Sequence, residues 1–272
     1  MKPILLATDY SPASLNAGDY AAQLAKACNT SLVVLHTWTP PVAVADAGGM
    51  PMPMTDFTEP QKEAVEAEAT RLAKHWNIPV KGMQRIDFAP DGVANEFNEH
   101  EFSFVVMGMQ QHNVVERFLG SVPTANLHKA KYAVLIIPEG TAYHKPSTIV
   151  LATDLKDQLN SNSREILMLL SEQLKIVLQL VNVKEEGELW SLRETNAGVR
   201  LDKKLVKMKH DWHFPAGENI DEVILEEAKK EKADWIAVAP HRMRWYEEIF
   251  HKSVTRKLAF SVDRPLLILP AK

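Results

Sequence analysis

The sequence has little cysteine, no excess of basic residues and no long apolar run. Cys28 is the only cysteine in 272 residues, so an internal disulfide and a cysteine metal cluster are both excluded. Lysine and arginine number 31 against 35 acidic residues, a formal charge of −4, so the positive excess that binds duplex nucleic acid is missing. No apolar stretch reaches the roughly 18 residues that cross a bilayer. We therefore expect no nucleic-acid or membrane partner and a cytoplasmic location.

What the sequence does contain is an internal repeat. The letters ILLATD at 4–9 return as IVLATD at 149–154. Three further pairs follow in the same order: 104–108 with 235–239, 120–122 with 252–254, and 132–138 with 264–270. Four matches in one order indicate two related domains, at 1–140 and 146–272. The Gly, Thr, His and Pro segment at 139–146 is typical of a linker.

Within each copy, short aliphatic runs alternate with helical patterns. Strands are predicted at 3–8, 31–38, 80–86, 104–108 and 133–138, and again at 148–152, 175–183, 209–214, 235–239 and 265–269. Helices of the first copy are predicted at about 12–28, 63–76, 92–100 and 123–131, the first one capped by Ser11-Pro12. This alternation predicts an α/β fold of two tandem, doubly wound, five-stranded parallel-sheet domains.

One segment has no counterpart in the second copy. Residues 39–60 contain five prolines, Gly48-Gly49 and three closely spaced methionines, a composition that predicts irregular structure. It is either a surface loop or a lid with an adaptable, methionine-rich surface for a ligand or partner.

Polar residues follow the strands where ligands of open α/β sheets bind. Asp9 and Asp154 come after the first strand of each copy, where a carboxylate either accepts a hydrogen bond from a ribose or base, or caps the next helix. After the fourth strand, the first copy has Gly108 and then Gly120-Ser121 before a helix. Glycine amides, a hydroxyl and a helix N-terminus together suit an anion.

The order Thr8-Asp9, Leu35-His36, Gly108 and Gly120-Ser121 resembles the universal stress proteins of the tandem type. The resemblance covers nearly the whole chain and implies the adenine nucleotide alpha-hydrolase-like fold. It also implies that the fifth strands, at 134–137 and 266–269, pair as in dimers of single-domain relatives. The chain would then be an intramolecular pseudo-dimer with approximate twofold symmetry, with further homo-oligomerisation left open.

Nucleotide-binding members of that family carry Gly-x2-Gly-x9-Gly-[Ser/Thr] after the fourth strand. Here Gln111 replaces the middle glycine, and eight residues separate it from Gly120. By resemblance, Asp9 would contact adenine and Thr37 would lie beside the base. The ribose and phosphates of ATP would be surrounded by Gly108, Gly120, Ser121 and Val122.

The second copy lacks these glycines. Its corresponding residues are Ala239, Arg242, Lys252 and Ser253, and Pro240 removes an amide that a phosphate cradle would use. Arg242 and Lys252 either attract another anion or belong to a solvated basic face. We therefore expect ATP in the first domain only, with the region near Asp154 filled by side chains.

No pattern indicates catalysis or a metal site. Nucleophile-elbow, Walker-type and dinucleotide-binding glycine motifs are missing, and Ser11, Ser14 and Ser121 fit caps or phosphate contacts better than nucleophiles. His210 and His213 are three residues apart in a predicted strand, so their rings should point in opposite directions. No metal is therefore predicted.

These observations predict a non-enzymatic stress-response or signalling protein that binds an adenine nucleotide in its first domain. Slow ATP hydrolysis has no support in the sequence. The alternative is an interaction module in which neither nucleotide site works and the methionine-rich segment and exposed surface engage a protein or an apolar ligand.

Overall fold

The computed structural model describes residues 1–40, 55–109, 132–153, 155, 159–184, 187, 189, 191–238 and 264–270. Ten strands in these residues form one sheet. The strands are β1 Ile4–Thr8, β2 Leu32–Trp38, β3 Val80–Ile86, β4 Val105–Met109, β5 Val134–Pro138, β6 Thr148–Ala152, β7 Val177–Val181, β8 His210–His213, β9 Trp235–Val238 and β10 Leu266–Ile268. The described helices are α1 Pro12–Ala27, α2 Thr55–Trp76, α3 Ala89–Glu99, α4 Ser161–Leu174, α5 Leu192–Leu205 and α6 Ile220–Lys230.

The strands lie in the order β3-β2-β1-β4-β5-β10-β9-β6-β7-β8. Neighbours are parallel except β5 and β10, which pair antiparallel from Leu266–Ile136 to Ile268–Val134. Read from either end, the sheet contains the third, second, first, fourth and fifth strands of one half. The predicted α/β fold and the pairing of the two fifth strands are confirmed. The domain boundary stays a prediction, although residues 141–147 form neither helix nor strand.

Helices cover both faces of this sheet, which explains why its central strands are apolar at nearly every position, whereas the edge strands β3 and β8 carry several polar residues. Ile4 and Leu6 of β1 belong to the core packed by α1, whereas Leu5 and Ala7 belong to the core packed by α3. Alternate residues of a strand point to opposite faces, so a strand covered on both sides needs an apolar residue at each step. The second half repeats this with α4 and α5 on one face and α6 on the other.

The two halves share one core. Trp235 of β9 donates its indole N–H to the hydroxyl of Tyr20 on α1 at 2.7 Å, and the Tyr20 ring meets that of Tyr143 edge to face at 5.0 Å. Leu135 and Leu267 of the paired fifth strands are fully buried beside them.

No helix in the described part of the chain is long and apolar enough to cross a membrane.

The prediction of irregular structure at 39–60 is wrong for Thr55 to Pro60, because α2 already begins at Thr55. Pro60 lies exposed near the start of the helix, where its missing amide costs one backbone hydrogen bond. Burial of Val65 and Leu72 against the core holds the helix in place, and this tertiary packing outweighs the local preference of proline. Residues 41–54, and the helix predicted at 123–131, lie outside the described residues.

Candidate functional site

The candidate site of the first half lies where its strand order reverses. β1 has β2 on one side and β4 on the other, and ligands of open α/β sheets bind at the carboxyl ends of strands that flank such a reversal. β1 ends at Thr8 and β4 ends at Met109. The structure therefore brings two of the predicted site residues, Asp9 and Gly108, to the same edge of the sheet.

The turn between β1 and α1 is fixed by a chain of hydroxyl groups. Tyr10 has a positive φ of 61°, and its amide donates to Thr8 Oγ1 at 3.1 Å. Thr8 Oγ1 lies 3.1 Å from Ser14 Oγ, which itself donates to the Ser11 carbonyl at 3.0 Å. Because the Ser14 proton is already used, the Thr8 hydroxyl donates to Ser14. The turn is thus built before any ligand arrives.

Asp9 lies exposed at the outside of this turn. Its Oδ1 accepts a hydrogen bond from the Ser11 amide at 3.0 Å, whereas the cap of α1 is Ser11, whose side chain accepts from the Ser14 amide. The interpretation of Asp9 as the cap of the helix is therefore wrong. The predicted cap at Ser11 is confirmed. Partial burial alone would raise the pKa of Asp9, but the hydrogen bonds from Ser11 lower it below its usual value. The carboxylate is charged at neutral pH and retains lone pairs for a further donor.

Tyr10 and His36 form the adjoining wall, and sequence reasoning missed Tyr10. The two rings pack with centroids 4.6 Å apart, and His36 Nδ1 donates to the Thr8 carbonyl at 2.9 Å. The Tyr10 hydroxyl is buried without a hydrogen-bond partner among the described residues. Burial, together with the Glu68 carboxylate, raises the pKa of Tyr10 to about 12. The only sequence feature that pointed to Tyr10 was its position beside Asp9, because a left-handed backbone conformation is not predicted at a tyrosine.

Thr37 lies at the same edge of the sheet but packs against a helix. It follows His36, which is paired in register with Thr8, so Thr37 is level with Asp9. Its methyl group lies against Gly92 of α3, where an added Cβ would approach Thr37 Cγ2 to 2.6 Å. Its proposed place beside a base stays a prediction.

Gly108 is required by packing. A Cβ at this position would lie 2.2 Å from the Ala13 carbonyl oxygen and 2.6 Å from the Ser14 amide nitrogen, so β4 passes directly against the first turn of α1. The glycine is thus explained without a ligand. The other residues assigned to ribose and phosphates lie outside the described residues, and their roles stay predictions: Gly120, Ser121 and Val122.

The second half repeats the turn with different side chains. Leu155 has a positive φ of 56°, and its amide donates to Thr153 Oγ1 at 3.4 Å. Asn182 donates to the Thr153 carbonyl at 2.7 Å, the same bond that His36 makes in the first half. Leu155 is almost fully buried, so the position of the half-exposed Tyr10 is filled by core packing. Asp154 lies outside the described residues.

The two histidines of β8 point in opposite directions, as predicted. His210 Nδ1 donates to the Met208 carbonyl at 2.8 Å, and its Nε2 lies 3.0 Å from the Asp202 carboxylate of α5. Burial alone would lower the pKa of His210, but these two acceptors raise it. His213 instead faces α6, where its Nδ1 lies 3.2 Å from Glu227. The two rings therefore have different hydrogen-bond partners.

Comparisons with known proteins agree with the architecture. A model described as the universal stress protein family matches residues 1–138. A crystal structure of a universal stress protein from Archaeoglobus fulgidus is similar over 99% of this chain and 96% of its own, at 16% identity and a TM-score of 0.69. A functionally unknown protein from Pseudomonas aeruginosa is similar over 100% of this chain and 93% of its own, at 13% identity and a TM-score of 0.56. The comparison with curated proteins finds no match.

Proposed function

Since the chain belongs to the universal stress protein family, we propose that it is a stress-response protein whose first half binds an adenine nucleotide without catalysing a reaction on it. The observation that carries this proposal is the β1–α1 turn, which holds a charged, exposed Asp9 at the reversal of strand order. A fixed carboxylate there accepts hydrogen bonds from the amino group of adenine or the hydroxyls of ribose.

The first half suits a nucleotide better than the second. Half-exposed Tyr10 and His36 offer ring surfaces beside Asp9, and nucleobases stack on such rings. Buried Leu155 takes the place of Tyr10 in the second half. The family resemblance adds Gly120-Ser121 as predicted phosphate contacts, where the second half has Lys252-Ser253.

The absence of catalysis is part of the proposal. Ser11 and Ser14, the serines closest to Asp9 in the sequence, are engaged in the helix cap and the turn. A serine nucleophile needs a hydrogen-bonded base, whereas the carboxylate beside these serines, Asp9, has a lowered pKa and is therefore a weak base. A cytoplasmic location belongs to the same proposal, since Cys28 is a free, buried thiol and secreted proteins favour disulfides.

Calorimetric titration of the full chain with MgATP tests the proposal. We expect one nucleotide per chain with a Kd on the order of micromolar, about −8 kcal/mol. Asp9→Ala should weaken binding about tenfold or more, because it removes a charged acceptor, and Gly120→Glu should abolish it. The matched control is Asp154→Ala, which should leave affinity unchanged. The proposal would be rejected if the wild type bound no MgATP, or if only Asp154→Ala lowered the affinity for MgATP.

A second candidate function is supported by exposed apolar side chains at the end of β3. Ile86 and Phe88 are 49% and 43% exposed, and Ile86 pairs with Trp38 at the end of β2. An interaction module that binds a protein or an apolar ligand would use such a surface. Ile86→Ser with Phe88→Ser should then abolish partner capture, while ATP titration stays silent for every variant.

A further inference from the structure

Three potential metal ligands converge between β8 and α6, outside the proposed nucleotide site. His213 ends β8, while Glu227 and Glu231 lie four residues apart at the end of α6. His213 Nδ1 is 3.2 Å from Glu227 Oε1 and 3.8 Å from Glu231 Oε1. All three ligand atoms lie within 4.8 Å of one another. A strand and a helix thus hold the three groups, which gives a more precise site than a loop would.

The imidazole is oriented by a fourth residue. His213 Nε2 lies 2.6 Å from Gln179 Oε1 on the neighbouring strand β7, so Nε2 carries the proton and donates it to the amide oxygen. In the neutral ring, Nδ1 then has a lone pair facing the two carboxylates. In this tautomer Nδ1 and the two carboxylates present three acceptor atoms to one another, an arrangement that a cation stabilises. Metal-bound histidines are held by the same kind of outer hydrogen bond.

The separations of the two carboxylate oxygens from His213 Nδ1 are close to those between zinc ligands. Zinc bonds of about 2.0–2.1 Å to nitrogen and oxygen, at tetrahedral angles, put neighbouring ligand atoms about 3.3 Å apart. The separations from His213 Nδ1, 3.2 and 3.8 Å, need little adjustment. His213 and Glu231 are 20% and 25% exposed, so an ion can enter from solvent. Glu227 is buried, so its carboxylate is held on the side of the cluster that faces the protein interior.

Lys230 is the cation now in contact with this cluster. Its Nζ contacts Glu227 Oε1 and lies 4.0 Å from Glu231 Oε1. One lysine leaves one of the two carboxylate charges uncompensated when the imidazole is neutral, whereas a divalent ion neutralises both. The lysine side chain is 65% exposed, so its flexible stem can move into solvent when an ion binds.

The first half has a buried glutamate at the same place and neutralises it differently. Glu96 of α3 lies eight residues before Phe104, as Glu227 lies eight before Trp235. Arg85 of β3 binds Glu96 at 3.1 Å and Glu99 at 2.7 Å. This guanidinium is only 24% exposed and is always charged. The first half therefore has a fixed cation where the second half has an exchangeable one.

We propose that His213, Glu227 and Glu231 bind one divalent transition-metal ion, zinc in the first place, with Gln179 as the positioning residue. Lys230 competes with the ion and moves aside when it binds. The bound ion links the end of α6 to the edge strand β8 and so stabilises the second half. This inference does not depend on the nucleotide proposal.

Titration of the metal-free full chain with Zn²⁺ and Co²⁺ tests this site. We expect one Zn²⁺ per chain by calorimetry and the visible absorption of tetrahedral Co²⁺. Glu231→Gln, at the solvent side, should weaken Zn²⁺ binding about tenfold or more, and Gln179→Leu about tenfold. Lys230→Met should tighten binding several-fold, on the order expected for removing a competing charge.

Glu99→Gln in the first half is the matched control and should leave Zn²⁺ affinity unchanged. Circular dichroism should show the same helix content in every variant, because the substituted side chains lie at the surface or at its margin. The proposal would be overturned if the wild type bound no Zn²⁺. It would equally be overturned if Glu231→Gln left affinity unchanged, since the ion would then be bound elsewhere.

Discussion

In the first half, β2 ends at Trp38, which pairs with Ile86; in the second half, Lys184 pairs with Ala216 at the corresponding step. Lys184 Nζ donates to the Leu189 carbonyl and to Glu194, each at 3.1 Å. At this step the first half places two apolar side chains, whereas the second half places an ion pair between Lys184 and Glu194. A shared strand order fixes where a site lies but leaves its chemistry to single residues.

The hydrogen bond to the carbonyl group at the end of the first strand is, by contrast, present in both halves. His36 donates to the Thr8 carbonyl in one half and Asn182 donates to the Thr153 carbonyl in the other. Different residue types make one bond, because an unpaired carbonyl at this buried edge would be costly. The hydrogen bond is therefore kept in both halves, although the neighbouring side chain differs: it is the Tyr10 ring in the first half and the buried Leu155 in the second.

Gly108→Ala should give the largest effect, because its Cβ would meet the α1 backbone at 2.2 Å. We expect a loss of about 3 kcal/mol in the free energy of unfolding by urea, the upper range for overpacking. The control is Gly198→Ala on α5, where the added Cβ would be 4.0 Å from Leu155, and a gain of about 0.5–1 kcal/mol is expected. A neutral Gly108→Ala would contradict the packing explanation of this glycine.

Tyr20→Phe should weaken the contact between the halves. It leaves the buried Trp235 N–H without its acceptor, at a cost of about 2 kcal/mol in unfolding free energy. Tyr143→Phe is the matched control, because the Tyr143 hydroxyl is buried without a partner in the described part of the chain, and no loss is expected. Equal losses for the two variants would show that the hydroxyl bond across the halves contributes nothing.

Glu194→Gln should give the smallest effect, and one that depends on pH. Hydrogen bonds from Ser191, with Lys184 beside them, lower the pKa of Glu194 to about 2 from its ordinary 4.5. The charged form stabilises the fold fully above pH 4.5, and this stabilisation disappears as the pH falls towards 2. We expect a cost of about 1 kcal/mol at pH 7, typical of a lost cap.

The comparison with α1 sharpens this last prediction. α1 is capped by Ser11 without a reciprocal glutamate, whereas α5 has the full capping box of Ser191 and Glu194. Urea unfolding of Ser11→Ala should show a cost that persists at low pH, because the bond from the Ser14 amide to the Ser11 hydroxyl does not titrate. Only the part that Ser11 contributes by lowering the pKa of Asp9 is lost as the pH falls. A cost of Glu194→Gln that persisted at pH 2 would contradict the assigned pKa.

Much of the fold was predictable, because apolar patterning is a local property of the sequence. All ten predicted strands agree with the structure to within two residues at each end, and the 80–86 and 148–152 strands agree at both ends. The start of α2 was missed because proline disfavours a helix locally at Pro60, whereas the packing of Val65 and Leu72 against the core stabilises the helix. Of the candidate site, the edge that joins Asp9 and Gly108 was foreseen; the wall formed by Tyr10 was not.

The sequence by itself determined that the chain is a duplicated α/β protein, because the repeat and the alternation of strands and helices are readable residue by residue. Only the tertiary structure decided which side chains meet. Tyr10 reaches His36, Trp235 reaches Tyr20, and His213 reaches Glu227 across strands and helices that are distant in the chain. Such pairs depend on strand order, register and helix placement, which arise from burial summed over the whole sheet and not from any local pattern.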